Sequence, residues 1–329
     1  MFSALRQGFA LFRRSWGLAV LLLAINVLSA SLLALPLLGQ LADDLAEKDA
    51  AGAMVKGFDF PWWSQWIEEQ EAFASSFAPD ILGTGFAVKN VDLLLRGQLP
   101  ARLLSRGAGG EEDDAPMPVD GSVLALGVLY LLLQTFLMGG VLATLRGEQG
   151  TWTVRSVLHG SGFYFGRFLR IALVALLLAW LVFRLNIPLA RWADRSAREA
   201  VSEWTAIAWI LGRHAALLLA LLGVSLLSTL AKAITVIEER SSALLAFVSA
   251  FGFTVRHLAP TLGLYALVGA LGMLLLLVWG QADAAWPVTG YRTQLVALVL
   301  MQGLVLGRLA LRLTLAGGLV ALYRRHGGA

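Results

Sequence analysis

Residues 17–38 read GLAVLLLAINVLSASLLALPLL, a run with no charged side chain from end to end. As a helix rising 1.5 Å per residue it would be about 33 Å long, enough to cross a hydrocarbon core of ~30 Å. Five further apolar runs, at 122–145, 168–188, 210–231, 261–280 and 294–320, approach or exceed the same length. Hydrophobic residues make up 58% of the chain, against about 45–50% in soluble domains. The first run is too long for a signal peptide and is not followed by a small-residue cleavage site, so it reads as a retained span. The expectation is an all-α, polytopic membrane helical bundle with six transmembrane helices, in one integral membrane domain covering 1–329.

The ionisable residues sort by segment. Arg6, Arg13, Arg14, Arg146, Arg155, Arg167, Arg170, Lys232, Arg240, Arg256, Arg324 and Arg325 flank one set of span ends, with only Glu148, Glu238 and Glu239 among them. The opposite set is dominated by 41–120, where fifteen acids face six bases. Lysine and arginine beside spans are retained in the cytoplasm, so both termini are expected there, in a cytoplasmic (bacterial inner) membrane. Such a face attracts anionic lipid headgroups. It gives no reason to expect nucleic acid.

Three stretches that precede the first, third and fifth spans resemble one another: ALRQGFALFRRSWGLAVLLL, VLHGSGFYFGRFLRIALVALLL and AFVSAFGFTVRHLAPTLGLYAL. Each carries a Gly-Phe pair followed four or five residues after the glycine by arginine: Gly8, Phe9 and Arg13; Gly162, Phe163 and Arg167; Gly252, Phe253 and Arg256. That pattern predicts a cytoplasmic interfacial helix with phenylalanine in the acyl boundary and arginine at the headgroups. The chain then reads as three parallel-oriented two-span repeats about an axis along the membrane normal.

Residues 39–120 are read as an extracytoplasmic helical insertion that ends in a flexible acidic linker, 106–121. Within it FDFPWWSQWIEEQEAF (58–73) is both aromatic and acidic. At 100° per residue Trp62, Trp63, Trp66, Ile67, Phe73 and Phe77 fall within an arc of about 140°, with the acids opposite. Pro61 suits the first turn and Asp59 the positive end of the helix dipole. The aromatic face is expected to cap the bundle's own outer ends, with docking of a protein partner as the sharper alternative.

Polar groups at membrane depth are functional candidates by default. Arg308 and Arg312 share one face of the last span, and a structural pairing with Glu238 and Glu239 is the expectation, with an anionic-headgroup site as the alternative. Gln134 and Gln302 are expected to hydrogen-bond across helices. The histidines His159, His214, His257 and His326 are dispersed, so no metal site is expected. Without cysteine there is no disulfide framework and no thiolate nucleophile. No cofactor motif is present, and no catalytic residue is predicted.

The segments GFYFGRFLRIAL (162–173) and ITVIEERSSALLAFVSAFGFTVRH (234–257) resemble those of a group of uncharacterised bacterial six-span membrane proteins. This group is akin to the membrane domain of glycerophosphodiester phosphodiesterases and to YciC-like proteins. The resemblance covers the membrane part, leaves 58–99 aside, and implies no settled activity. The expected function is therefore a non-enzymatic multi-pass protein that organises membrane lipids or partner proteins. The alternative is a permease or lipid-translocating protein using Arg308 and Arg312.

Overall fold

The computed structural model describes residues 2–45, 59–69, 120–147, 152–285 and 290–326, and every regular element among them is an α-helix. In order these are α1 (Phe2–Arg14), α2 (Trp16–Leu45), α3 (Phe60–Glu69), α4 (Gly121–Arg146) and α5 (Val154–Arg198), followed by α6 (Glu203–Ile237), α7 (Ala243–Arg256), α8 (Leu258–Ala285) and α9 (Tyr291–His326). Six of them, α2, α4, α5, α6, α8 and α9, are long and apolar enough to cross a membrane. The chain is thus an all-helical, multi-pass membrane protein. Phe73, Phe77 and the linker at 106–119 lie outside the described residues.

The three look-alike segments are helical, but their boundaries differ. Ser15 breaks α1 from α2 and His257 breaks α7 from α8, whereas the middle segment runs without a break into α5. At 1.5 Å per residue α5 is about 68 Å long, more than twice the ~30 Å of a hydrocarbon core. Phe168 takes the place of the helix-breaking Ser15 and His257, and it is fully buried. The buried stripe sets the correspondence. Ala4, Gly8, Ser15 and Leu18 recur in spacing as Val157, Ser161, Phe168 and Ile171 and, up to the break, as Ala246, Ala250 and the half-buried His257. On this register the position after the stripe's second residue is Phe9, Gly162 or Phe251, and all three face outward. Phe253 instead is buried against Tyr323, with ring centroids 5.0 Å apart. Of the three expected glycines only Gly8 is closely packed; a side chain at Gly162 or Gly252 would enter open space.

Each of these segments packs on the span that precedes it around the bundle: the start of α5 on α4, α7 on α6, and α1 on α9. The contacts need small residues. A methyl at Gly140 would overlap the Val157 carbonyl, and one at Gly8 would overlap the Thr314 carbonyl and the Gly318 backbone. Close backbone approach of this kind is how helices associate where no hydrophobic force drives them together. Thr153 starts α5 with a reciprocal cap, its Oγ1 accepting from the Ser156 amide at 3.1 Å and its own amide donating to Ser156 Oγ at 3.0 Å.

The core lies at one end. Buried residues cluster at Leu18–Leu22, Leu137–Leu145, Val157–Ile171, Leu226–Val236 and Leu309–Tyr323, which all belong to the half of the bundle that carries both termini. The opposite halves of the spans expose large apolar side chains such as Leu28, Leu131 and Leu176, as surfaces bathed in lipid do.

At the far end α3 caps α2. Asp59 Oδ1 accepts from the Trp62 amide at 3.1 Å. Trp63 and Trp66 are buried against Leu37 and Leu41, and Trp66 Nε1 donates to Asp44 at 2.6 Å. Trp62 stacks on Trp66 with centroids 6.0 Å apart. These aromatic residues are spent on the chain's own second helix.

Candidate functional site

Arg308 and Arg312 lie one turn apart on α9 and both are exposed; Arg312 lines a narrow cleft between α2, α4 and α9, with about 10 Å³ of open volume. Leu22, Leu137, Met138, Val141, Leu309 and Leu313 form its apolar wall. Arg312 Nη1 donates to Gln134 Oε1 at 3.2 Å. Gln134 Nε2 in turn donates to Asn26 Oδ1 at 2.9 Å, and the Tyr130 hydroxyl donates to the same oxygen at 3.1 Å. One polar chain therefore joins three spans. Lys232, on α6, reaches Arg312 closely enough for their charges to interact, and Arg308 does the same from the next turn. Among the described residues no carboxylate forms an ion pair with any of the three cations.

The expected pairing with Glu238 and Glu239 is not made. Glu239 Oε1 is 2.7 Å from Arg146 Nη1, and Glu238 is bonded to Arg240 and to the Tyr323 hydroxyl. Tyr323 is eleven residues, about 16 Å, further along α9 than Arg312, so a carboxylate held there does not reach the cleft. Around it Arg146 Nη1 donates to the Val236 carbonyl at 2.9 Å, Arg167 to that of Glu239 at 3.1 Å, and Arg324 to that of Arg146. These bonds tie α4, α5, α6 and α9 together below the cleft. Gln302 is not part of the cluster.

Depth follows from α4. Gln134 lies thirteen residues from Gly121 and twelve from Arg146, the two ends of that helix, and so stands at the middle of its span. The bonds Gln134–Arg312 and Arg146–Arg324 share one sequence offset, which places α4 and α9 parallel and level. Arg312 therefore stands level with the middle of α4. An arginine at the centre of a span costs about 2.5–3.5 kcal/mol on insertion scales.

Sequence reasoning found Arg308, Arg312 and Gln134 but missed Asn26, Tyr130 and Lys232. Asn26 was findable as the one amide in an otherwise uncharged first span. Lys232 was not, because it reads as the basic end of its helix. The level packing of α4 and α9 also had a signal in MGGVLATLR (138–146) and AGGLVALYR (316–324), which match in their glycine pair, alanine and arginine.

The chain matches no protein-family model, no curated protein and no solved structure. The site is therefore read from its own chemistry.

Proposed function

We propose that this protein is a carrier in the cytoplasmic membrane, with both termini in the cytoplasm, that passes an anionic group across the bilayer by way of Arg312 in its narrow cleft and the neighbouring cations Arg308 and Lys232. One observation carries the reading: Arg308 and Arg312, one turn apart and level with the middle of α4, have no carboxylate partner among the described residues, and Lys232 reaches Arg312 from the last turns of α6. Ionisable groups at that depth mark substrate pathways, and carriers hold substrate where their helical units meet. A static headgroup clamp would sit at the membrane surface, so depth favours the transport reading over lipid organisation. Asn26, Gln134 and Tyr130 fix the Arg312 fork, and guanidinium groups suit the paired oxygens of phosphate or carboxylate. The buried half of the bundle and the bonds of Arg146, Glu238 and Glu239 support a state closed to the cytoplasm.

The shared chemistry is a phosphate- or carboxylate-bearing group, on a lipid or in solution. Vesicles containing the purified protein would be tested in two arms, flipping of fluorescent phosphatidylglycerol and uptake of labelled inorganic phosphate. The expected result is flux in one arm, reduced at least tenfold by Arg312→Gln and less by Arg312→Lys, with thermal unfolding unchanged. Anionic-lipid binding that depends on Arg312 but brings no flux in either arm would return the protein to the lipid-organising reading.

A further inference from the structure

A second cavity lies between α5 and α6 at the end of the bundle away from the termini, and the carrier reading does not use it. Its volume is about 560 Å³, within the range of small-molecule sites. Leu189, Trp192, Ala193, Ala208, Trp209 and Ala216 supply apolar wall. Trp192 and Trp209 meet edge to face with centroids 4.7 Å apart. At its polar end Arg213 Nη1 contacts both Asp194 oxygens, at 3.1 and 3.4 Å, and Nη2 lies 2.8 Å from His214 Nε2. The Arg213 side chain, which lines the cavity, is 16% exposed, and that of its partner Asp194, which lies beside the lining, is 45% exposed.

We infer that this cavity is a binding site for a zwitterionic phospholipid, with the phosphate of the headgroup at Arg213 inside it, the ammonium at Asp194 beside it, and an acyl chain along the apolar wall. The charge pattern selects the ligand. A purely anionic head is repelled by Asp194 and a purely cationic one by Arg213, whereas a head carrying both signs satisfies each. Tryptophan pairs and a snorkelling charge mark the level at which headgroups sit. On the orientation proposed above this is the outer leaflet.

The glycine in the wall gives a clean test, because a side chain at Gly212 would enter open space rather than overlap its neighbours. Native mass spectrometry of the whole protein, released from nanodiscs of equal phosphatidylethanolamine and phosphatidylglycerol, would count retained lipids. Wild type should keep phosphatidylethanolamine at this site, and Gly212→Phe should retain about tenfold less without loss of thermal stability. Asp194→Asn should reverse the preference toward phosphatidylglycerol, because Arg213 is then left without its neutralising partner; a merely structural carboxylate would not invert lipid choice. Arg312→Gln should leave phosphatidylethanolamine retention unchanged, which separates this site from the Arg312 cleft whatever becomes of the transport proposal. Equal retention by Gly212→Phe and wild type would overturn the site. Equal capture of both lipids by wild type, or no change of preference in Asp194→Asn, would overturn the headgroup assignment.

Discussion

At the scale of single residues, glycines decide which helices can touch. Gly140 has no room for a side chain against Val157 and Ser161, while Gly162 and Gly166 look into open space. Gly140→Leu should therefore destabilise the bundle by about 3 kcal/mol or more, beyond the usual overpacking cost because backbone rather than side chain is in the way. Gly166→Ala should be neutral or stabilising by about 0.5–1 kcal/mol. Unfolding in detergent followed by circular dichroism would compare the two. Asp120 shows how a single carboxylate starts a span. It accepts from the Ser122 hydroxyl and from the Ser122 amide, the latter at 2.8 Å, and these bonds hold its pKa below the ordinary 3.8. A depressed folded-state value means that its contribution to holding the first turn of α4 is complete above the unfolded-state pKa. It is lost as pH falls through the folded value. Hydrogen exchange at the α4 N-terminus should accordingly rise on acidification below pH 4, and Asp120→Asn should weaken that dependence.

At the scale of elements, α3 is the clearest case of a helix whose composition states its role before its position is known. Tryptophans on one side and acids on the other predict a helix that is dry on one face and wet on the other. The structure spends the dry face on α2, through Trp63, Trp66 and the bond to Asp44. Trp66→Ala removes both the packing and the hydrogen bond, each worth on the order of 1–3 kcal/mol or more. The expected outcome is fast amide exchange throughout α3 with the spans unaffected. Protection that persists in this variant would mean that another surface holds the helix. The look-alike segments before the odd-numbered spans teach the opposite lesson. Their Gly-Phe pairs suggested an alignment, yet the buried stripe sets a register in which Gly8, Ser161 and Ala250 correspond. Smallness at one buried position, rather than glycine itself, is what the packing asks for.

At the scale of the whole molecule, the bundle is closed and well packed at the end carrying the termini and loosely associated at the other. The positive charge around the closed end predicts which compartment it faces. Because the chain contains no cysteine, single substitutions can report sidedness directly. Glu199→Cys, at the turn between α5 and α6, should react with an impermeant maleimide in intact cells. Arg325→Cys should react only once the membrane is opened. Labelling of both from the same side would refute the topology.

The six apolar helices, the distribution of charge between their ends and the two-faced character of α3 were legible in the sequence, because each depends on the order of residues along one helix. Arg308 and Arg312 were legible as neighbours for the same reason, four residues being about one turn. Which other groups meet them was not. Asn26, Gln134, Lys232 and Arg312 come from four helices, and the 3.6-residue period gives the faces of each helix without saying which face meets which. Tertiary packing settled that: the bonds from Arg312 to Gln134 and from Arg324 to Arg146 hold α4 and α9 parallel and level, and Lys232 reaches Arg312 from α6.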